Sequence, residues 1–430
     1  MSLSRLFLTF SGHAIPGPRA KPSSPSELPS RPHALAAVAL TACLALGQAL
    51  PAHARSQASP SAKTPAAAAV SYQEDPRVAD LARDLAEKEG LDPIWVEQWL
   101  RQARYVPQVA QLMMPAPTGT AKNWQAYRAR FVESRRIEAG RQFAQTHSRW
   151  LALAQERYGV EPEIVLGILG VETFYGRLTG GFRTLDALAT LSLDFPTGRK
   201  DRTPFFRQEL GRFFKLCKEQ QLQPDQVKGS FAGALGLPQF MPSSWLQHAV
   251  DLDGDGHIDL LGSPADAIGS VAHYLQSFGW APGQPTHFRI ALPADTTARA
   301  RMLEPDILPT FAPAQLKEMG AELEGNALAQ DGKLAVVELQ NGDDAPSYVA
   351  GTTNFYAITR YNWSSYYAMA VIDLGKAVRQ AWLAPAAAST RSEDAASSPA
   401  SAGASKRAAP QGRQAGTRGK AAPHKGAASR

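Results

Sequence analysis

The chain has 430 residues, a hydrophobic fraction of 44% and a net charge of +6, enough material for two or three compact units. Its two cysteines, Cys43 and Cys217, exclude both a disulfide framework and a cysteine-based zinc site. From Pro385 to Arg430 eight basic side chains stand against Glu393 and Asp394, a surplus equal to the whole net charge. Residues 1–384 are therefore near neutral, so the basic balance of the whole chain does not make the folded part a nucleic-acid binder.

In chain order, Arg31 precedes an apolar run from Ala34 to Leu50, and Ala52-His53-Ala54 forms a small-x-small cleavage site. This pattern predicts a signal peptide over residues 1–54 and export to the periplasm. The 17-residue run is shorter than the ~20 residues a stable span needs. Leu40-Thr41-Ala42-Cys43 also fits a lipobox, which would lipidate Cys43 and associate the protein with the outer membrane; both readings stand at this point. Residues 55–70, rich in Ala, Ser and Pro, read as a linker.

The next stretch, 71–140, reads as a helical domain. Asp75-Pro76 suits a helix start, followed by Val78, Leu81 and Leu85 at helical spacing, with Gly90 as the stop. Asp92-Pro93 opens a second helix containing Trp95 and Leu100, and a third helical stretch runs from Trp124 to Tyr158. Residues 141–280 read as a second helical unit. Glu161-Pro162-Glu163 opens a helix through Tyr175 that is apolar on nearly every face, the mark of a buried helix. Residues 184–194, 204–221 and 264–278 are helical by pattern. In 281–352 the pattern changes: 288–292, 334–339 and 348–353 alternate or cluster as short strands, which predicts a small β unit. The segment 353–384 returns to the helical units, with a helix over Ser364–Trp382, and 385–430 reads as a disordered basic tail. The fold class that follows is mainly α with a minor β part (α+β).

Four segments carry chemistry. Glu172 ends the buried apolar helix, where desolvation and the negative end of the helix dipole both raise a carboxyl pKa. A carboxylic acid kept protonated near neutral pH is what a general acid requires; a structural pair with Arg177 or Arg183 is the competing explanation. The glycine- and alanine-rich run Gly229–Ser244 allows close backbone approach to a ligand, with Ser230 and Gln239 as hydrogen-bonding groups, or is simply a tightly packed turn. Asp251-Leu252-Asp253-Gly254-Asp255-Gly256-His257-Ile258-Asp259 matches the front of an EF-hand calcium loop, with oxygens at positions 1, 3 and 5, glycine at 6 and a backbone carbonyl at 7. Position 12 is Gly262 rather than a bidentate glutamate, and the nearest later acid is Asp266. Lastly, Asn354-Phe355-Tyr356 and Arg360-Tyr361-Asn362-Trp363-Ser364-Ser365-Tyr366-Tyr367 set aromatics beside amides, a pairing that suits carbohydrate as well as a helix entry with core tyrosines.

Together these segments resemble the lytic murein transglycosylase B family. The resemblance runs from about Tyr72 to Trp382 and rests on Gly170-Val171-Glu172-Thr173, Ser230-Phe231-Ala232-Gly233-Ala234, Gln239-Phe240-Met241-Pro242-Ser243-Ser244, the Asp251–Asp259 loop and Arg360-Tyr361-Asn362. It implies a lysozyme-like helical core, an additional helical domain and a small inserted β domain. It also implies cleavage of the β-1,4 bond between N-acetylmuramic acid and N-acetylglucosamine in peptidoglycan, leaving 1,6-anhydromuramic acid ends. Glu172 would be the sole catalytic residue, acting first as acid and then as base on the muramoyl C6 hydroxyl. Tyr127, Ser230, Gln239, Tyr274, Tyr361, Asn362 and Tyr367 would contact the glycan. Asp251, Asp253, Asp255, the His257 carbonyl and Asp266 would hold a structural Ca2+. No organic cofactor and a monomer are implied. Asp266 stands one residue later than the family spacing, and Phe205 stands where the family often has tyrosine. Two rival readings make different demands. A hydrolytic muramidase needs a second carboxylate, for which Asp186 and Asp194 are the candidates, and a non-catalytic peptidoglycan-binding scaffold needs no protonatable acid at all.

Overall fold

The computed structural model describes residues 70–114 and 122–384. The expected signal peptide, its Cys43 alternative, the linker to residue 69 and the basic tail lie outside the described residues.

The first helices start where the sequence offers a proline and an acid. Helix α1 (Arg77–Glu89) begins just after Pro76, the Asp75 carboxylate accepts from the Arg77 amide at 2.9 Å, and Gly90 ends it in the left-handed conformation. Asp92 caps α2 (Pro93–Leu100) through the Ile94 amide. A short α3 (Pro107–Leu112), not anticipated from periodicity, follows.

The stretch expected as one helix from Trp124 to Tyr158 is three: α4 (Trp124–Ala129), α5 (Ser134–Thr146) and α6 (Ser148–Tyr158). The first break is made by Glu133, whose carboxylate accepts from the amides of Arg135 and Arg136, and the second by His147 at φ −111°, ψ 21°. Neither residue type is a usual breaker, so the interruptions leave no mark in the hydrophobic period.

Helix α7 (Pro162–Thr173) is buried from Ile164 to its end. After β1 (Phe182–Arg183) come α8 (Thr184–Leu193), α9 (Thr203–Glu219), β2 (Lys228–Gly229), α10 (Pro242–His248) and α11 (Pro264–Ser277). The 281–352 segment holds β3 (His287–Ala291), α12 (Thr296–Leu303), α13 (Pro313–Glu318), β4 (Glu322–Leu323), β5 (Ala335–Asn341) and β6 (Asp344–Gly351). The three expected strands are present, with two short helices and an extra strand between them. The sheet order is β4-β3-β6-β5, all antiparallel, and the β5–β6 hairpin turns through Gly342 at φ 68°. The chain then forms α14 (Thr353–Tyr361), ahead of the helix expected over Ser364–Trp382, and that helix, α15 (Ser365–Leu383). Thr352 starts α14 by accepting from the Asn354 amide at 3.1 Å.

One apolar core runs through the helices from Tyr72 to Val378, and the helices on both sides of residue 140 share it. A second, smaller core gathers Phe288, Ile290, Met302, Leu316, Leu334, Val336 and Ala350 under the sheet. Strand β5 serves both: Ala335, Val337 and Leu339 enter the large core, while Val336 enters the small one. At the centre, α15 lies directly on α7. A Cβ on Gly167 would meet the Val371 carbonyl oxygen at 2.2 Å, and one on Gly375 would meet that of Glu163 at 2.0 Å. Only glycine permits so close an approach, and it sets the start of α15 beside the end of α7.

Candidate active site

Glu172 is the penultimate residue of α7 and is 8% exposed. Beyond the helix, Phe174 (φ 52°), Tyr175 (φ 58°) and Gly176 (φ 85°) all adopt positive φ, a conformation costly for the two aromatic residues and found where surroundings over-determine it. Thr173 Oγ1 donates to the Leu237 carbonyl at 2.8 Å and accepts from the Gly176 amide at 3.0 Å, tying this end to the glycine-rich loop. Buried Arg136 donates through Nη1 to the Gly170 carbonyl at 2.7 Å, with its guanidinium between the rings of Phe131 and Phe174. A cation thus meets the negative end of the helix dipole. The sequence reading missed Arg136, because an arginine on an amphipathic helix ordinarily faces water.

The two oxygens of Glu172 differ. Oε1 accepts from the Tyr367 hydroxyl at 2.5 Å, whereas buried Oε2 has no hydrogen-bond partner among the described residues. Burial pushes the carboxyl pKa up to about 8, against the opposing pull of the Tyr367 hydrogen bond. The structural pair with arginine is not formed: Arg183 binds Asp186, and the Arg177 guanidinium lies over the Phe174 ring.

Four tyrosines expected as glycan contacts share this environment. Tyr361 and Tyr367 stack at 6.4 Å between ring centres, and Tyr274 meets Tyr361 edge-on at 4.8 Å. The Tyr361 hydroxyl donates to the Pro238 carbonyl and that of Tyr274 to the Arg360 carbonyl, both at 2.7 Å. Tyr127 packs on Trp124, Phe131 and Tyr366. Burial raises all four phenol pKa values, that of Tyr127 to about 12, and the Glu172 charge raises each further. They are neutral donors around an acid.

The Gly229–Ser244 run folds back on itself through bridges Gly229↔Leu235 and Leu235↔Phe240. Ser230 Oγ accepts from the Ala234 amide at 3.0 Å and is 2% exposed, so it holds the turn. Gln239, at φ 51°, donates through Nε2 to the carbonyls of Thr179 and Gly236. Buried Asn362 follows Tyr361 at the α14–α15 junction.

In the acidic loop, Asp251, Asp253 and Asp255 bring carboxylate oxygens within 4.8 Å of one another. Asp251 accepts from the amides of Gly254 and Gly256, which hold its pKa down, and His257 donates its amide to Asp255. Expected as a further ligand, Asp266 is not in this cluster. Its Oδ1 accepts from the Leu252 amide at 2.9 Å and its Oδ2 from the Asp259 amide at 2.8 Å, so it clips the two ends of the loop together from the first turn of α11.

The candidate second carboxylates are committed elsewhere. Asp186 takes Arg183 and the Arg104 amide, and Asp194 takes Tyr72 at 2.6 Å and Arg77 at 3.1 Å.

Comparison with known proteins points to one family. Residues 73–376 match the family model described as the transglycosylase SLT domain. The chain is 38% identical over 315 residues to membrane-bound lytic murein transglycosylase B of Escherichia coli K12, covering 71% of this chain and 84% of that protein. Among solved structures, soluble lytic transglycosylase SltB1 of Pseudomonas aeruginosa superposes with a TM-score of 0.65 at 38% identity, over 71% of this chain and 99% of that one. The Escherichia coli lytic transglycosylase Slt35 in complex with calcium gives 0.65 at 37% identity, over 74% and 96%.

Proposed function

The chain belongs to the transglycosylase SLT domain family, and from that membership we propose that it cleaves peptidoglycan glycan strands as a lytic transglycosylase with Glu172 as its single acid and base. The observation that carries the assignment to Glu172 is a buried carboxyl with one oxygen held by Tyr367, the other unpartnered, and a pKa near 8. At neutral pH the group holds its proton and donates it to the glycosidic oxygen between muramoyl and glucosaminyl residues as the C1–O bond breaks. The resulting carboxylate takes the proton of the muramoyl C6 hydroxyl while that oxygen bonds to C1. The products are a free 4-hydroxyl on the leaving sugar and a 1,6-anhydromuramoyl end, so no water is consumed. With Asp186 and Asp194 in ion pairs, the site offers no support for a water-activating partner at either position. Tyr127, Tyr274, Tyr361, Tyr367 and Asn362 line the glycan side in this reading, their rings suited to sugar faces, while Ser230 and Gln239, bonded to the backbone of their own loop and of Thr179, shape it.

The acidic loop fits a calcium ion. Three clustered carboxylates repel one another, and glycines at positive φ (Gly254 at 78°, Gly256 at 90°) turn the backbone so that the side chains converge. Asp251, Asp253, Asp255 and the His257 carbonyl would hold the ion, which would neutralise that charge and brace the start of α11. Its place would be structural, since neither oxygen of Glu172 is bonded to the loop. The substrate lies outside the cytoplasmic membrane, so the protein is placed in the periplasm. Among the described residues no helix is long and apolar enough to cross a membrane.

The deciding experiment is digestion of sacculi by wild type and Glu172→Gln, with mass spectrometry of the products. Wild type is expected to release 1,6-anhydro ends and the variant none. Reducing muramic ends from the wild type would instead mark a hydrolase.

A further inference from the structure

We propose that a pocket between α2 and the end of α9 holds a hexosamine residue of the glycan strand while the strand is cut elsewhere on the protein. The proposal rests on the peptidoglycan reading and adds to it a second place of contact with the polymer. The cavity measures about 310 Å³, at the lower end of the range for small-ligand clefts. None of its lining residues belongs to the site around Glu172.

Its walls follow from two local patterns. On α2, Val96 and Leu100 are buried in the large core. Trp95 and Trp99, each one residue earlier and likewise one turn apart, fall on the neighbouring face and stay partly in water. Trp95 meets Phe214 edge-on at 5.8 Å and Trp99 at 6.5 Å with 75° between the indoles, so the two tryptophans form a corner. Helix α9 supplies the opposite wall by the way it ends. The Leu222 amide donates to the Cys217 carbonyl at 2.9 Å, which closes the helix with Gln221 at φ 53°. Glycine is the usual residue there, because a Cβ strains that conformation. Strain of this kind gathers at functional positions, and here it sets an amide side chain on the pocket.

The chemistry suits a sugar. Exposed Gln221 and Gln223 both line the cavity, and no hydrogen bond among the described residues engages their side-chain amides or the two indole N–H groups. Aromatic faces beside free amides match a pyranose ring with its hydroxyl and acetamido groups. No acid lines the pocket, and its one ion, Lys218, lies over the Trp95 ring at 5.4 Å from the centroid. A strand that carries carboxylates therefore meets a cation and no like charge, whereas a peptide amine finds no partner. An apolar protein surface would bury the free amide and indole groups without hydrogen bonds, at a cost.

Holding the polymer here raises its effective concentration at the acid without adding to the chemistry, so loss of the pocket is read in KM on the polymer alone. The test uses the exported chain and two substrates, intact sacculi and soluble tetrasaccharides prepared from them. Gln221→Gly/Gln223→Ala removes both amides and puts glycine where the backbone favours it, so its melting temperature should not fall below that of wild type. Trp99→Ala removes one indole. Each variant is expected to raise KM on sacculi about fivefold or more, with kcat, and all kinetics on tetrasaccharides, unchanged. An unchanged KM on sacculi, or an equal rise on both substrates, overturns the proposal. Sacculi stripped of stems by an amidase identify the occupant: the same rise is expected on them, and a rise confined to stem-bearing sacculi would place peptide in the pocket and reject the hexosamine. A wild type that forms no anhydro ends on either substrate overturns the transglycosylase reading instead. Co-sedimentation with sacculi then decides the pocket without turnover: weaker binding by the variants supports it, and equal binding rejects it.

Discussion

With Oε1 on a tyrosine hydroxyl and Oε2 unpartnered, Glu172 is set to pass its proton at one atom. Because burial holds its pKa near 8, turnover is expected to fall as pH rises through about 8, where the acid is lost; initial rates of anhydro-end release between pH 5 and 10 measure this. The same shift has a stability consequence. A carboxyl with a raised folded pKa binds its proton more tightly folded than unfolded, so rising pH destabilises the fold between about 4.5 and 8. The slope reaches at most about 1.4 kcal/mol per pH unit. Glu172→Gln keeps an acceptor for Tyr367 but has no proton to lose. Its melting temperature relative to wild type should therefore climb through that window, while kcat drops by roughly 10²–10⁴; a pH-independent offset would contradict the assigned environment. Tyr367→Phe acts on the same carboxyl from outside. The hydroxyl stabilises the ionised form, so its removal should move the alkaline limb of the rate profile upward and lower kcat about tenfold, the loss expected for a charge-assisted hydrogen bond of ~1.5 kcal/mol. A limb that moves down would show that the hydroxyl does not favour the anion.

At the scale of elements, the site depends on how closely α15 lies on α7. A methyl group at Gly375 would sit 2.0 Å from the Glu163 carbonyl oxygen, so the helices must part. Gly375→Ala should cost on the order of 1–3 kcal/mol and lower kcat, since α15 carries Tyr367. Gly181→Ala, where nothing lies within 4 Å of the new methyl, serves as the control and should be near neutral; chemical denaturation of both variants makes the comparison. The acidic loop is the second such element. Calcium in hundredfold excess over its dissociation constant stabilises by about 2.7 kcal/mol, so the melting temperature should rise several degrees over that in chelator, and Asp253→Asn should reduce the difference. Equal melting curves would reject the ion. Much of this was legible in the sequence. The all-round apolar pattern of α7 exposed Glu172 as a buried acid, and Asp/Gly alternation announced the loop. Other parts were hidden for physical reasons. Glu133 and His147 divide a continuous helical pattern by capping and backbone angle alone, and Arg136 is buried by two rings that lie near it only in the fold. Asp266 was read as a ligand from its spacing, which carries no sign that its carboxylate also accepts from the loop's own amides at Leu252 and Asp259.

At the scale of the whole molecule, two cores meet along β5, and the small β part announced itself by strand alternation. That Glu338 and Gln340 line a cavity together with Tyr127 of α4 did not, because both read as ordinary solvent-facing positions until α4 is placed opposite. The family match ends at residue 376 and the large core at Val378, whereas the whole surplus of positive charge lies from Pro385 onward. The family match and the large core are complete without the tail, so turnover should not depend on it. A protein ending at Ala384 is expected to retain kcat/KM on soluble strands within about twofold, equivalent to ~0.4 kcal/mol, and to melt at the same temperature as the full chain. A lowered melting temperature would make residues 385–430 part of the folded body. An unchanged one with a lost rate would give them a role in delivering substrate, and parallel assays on soluble strands and on intact sacculi would then locate that role.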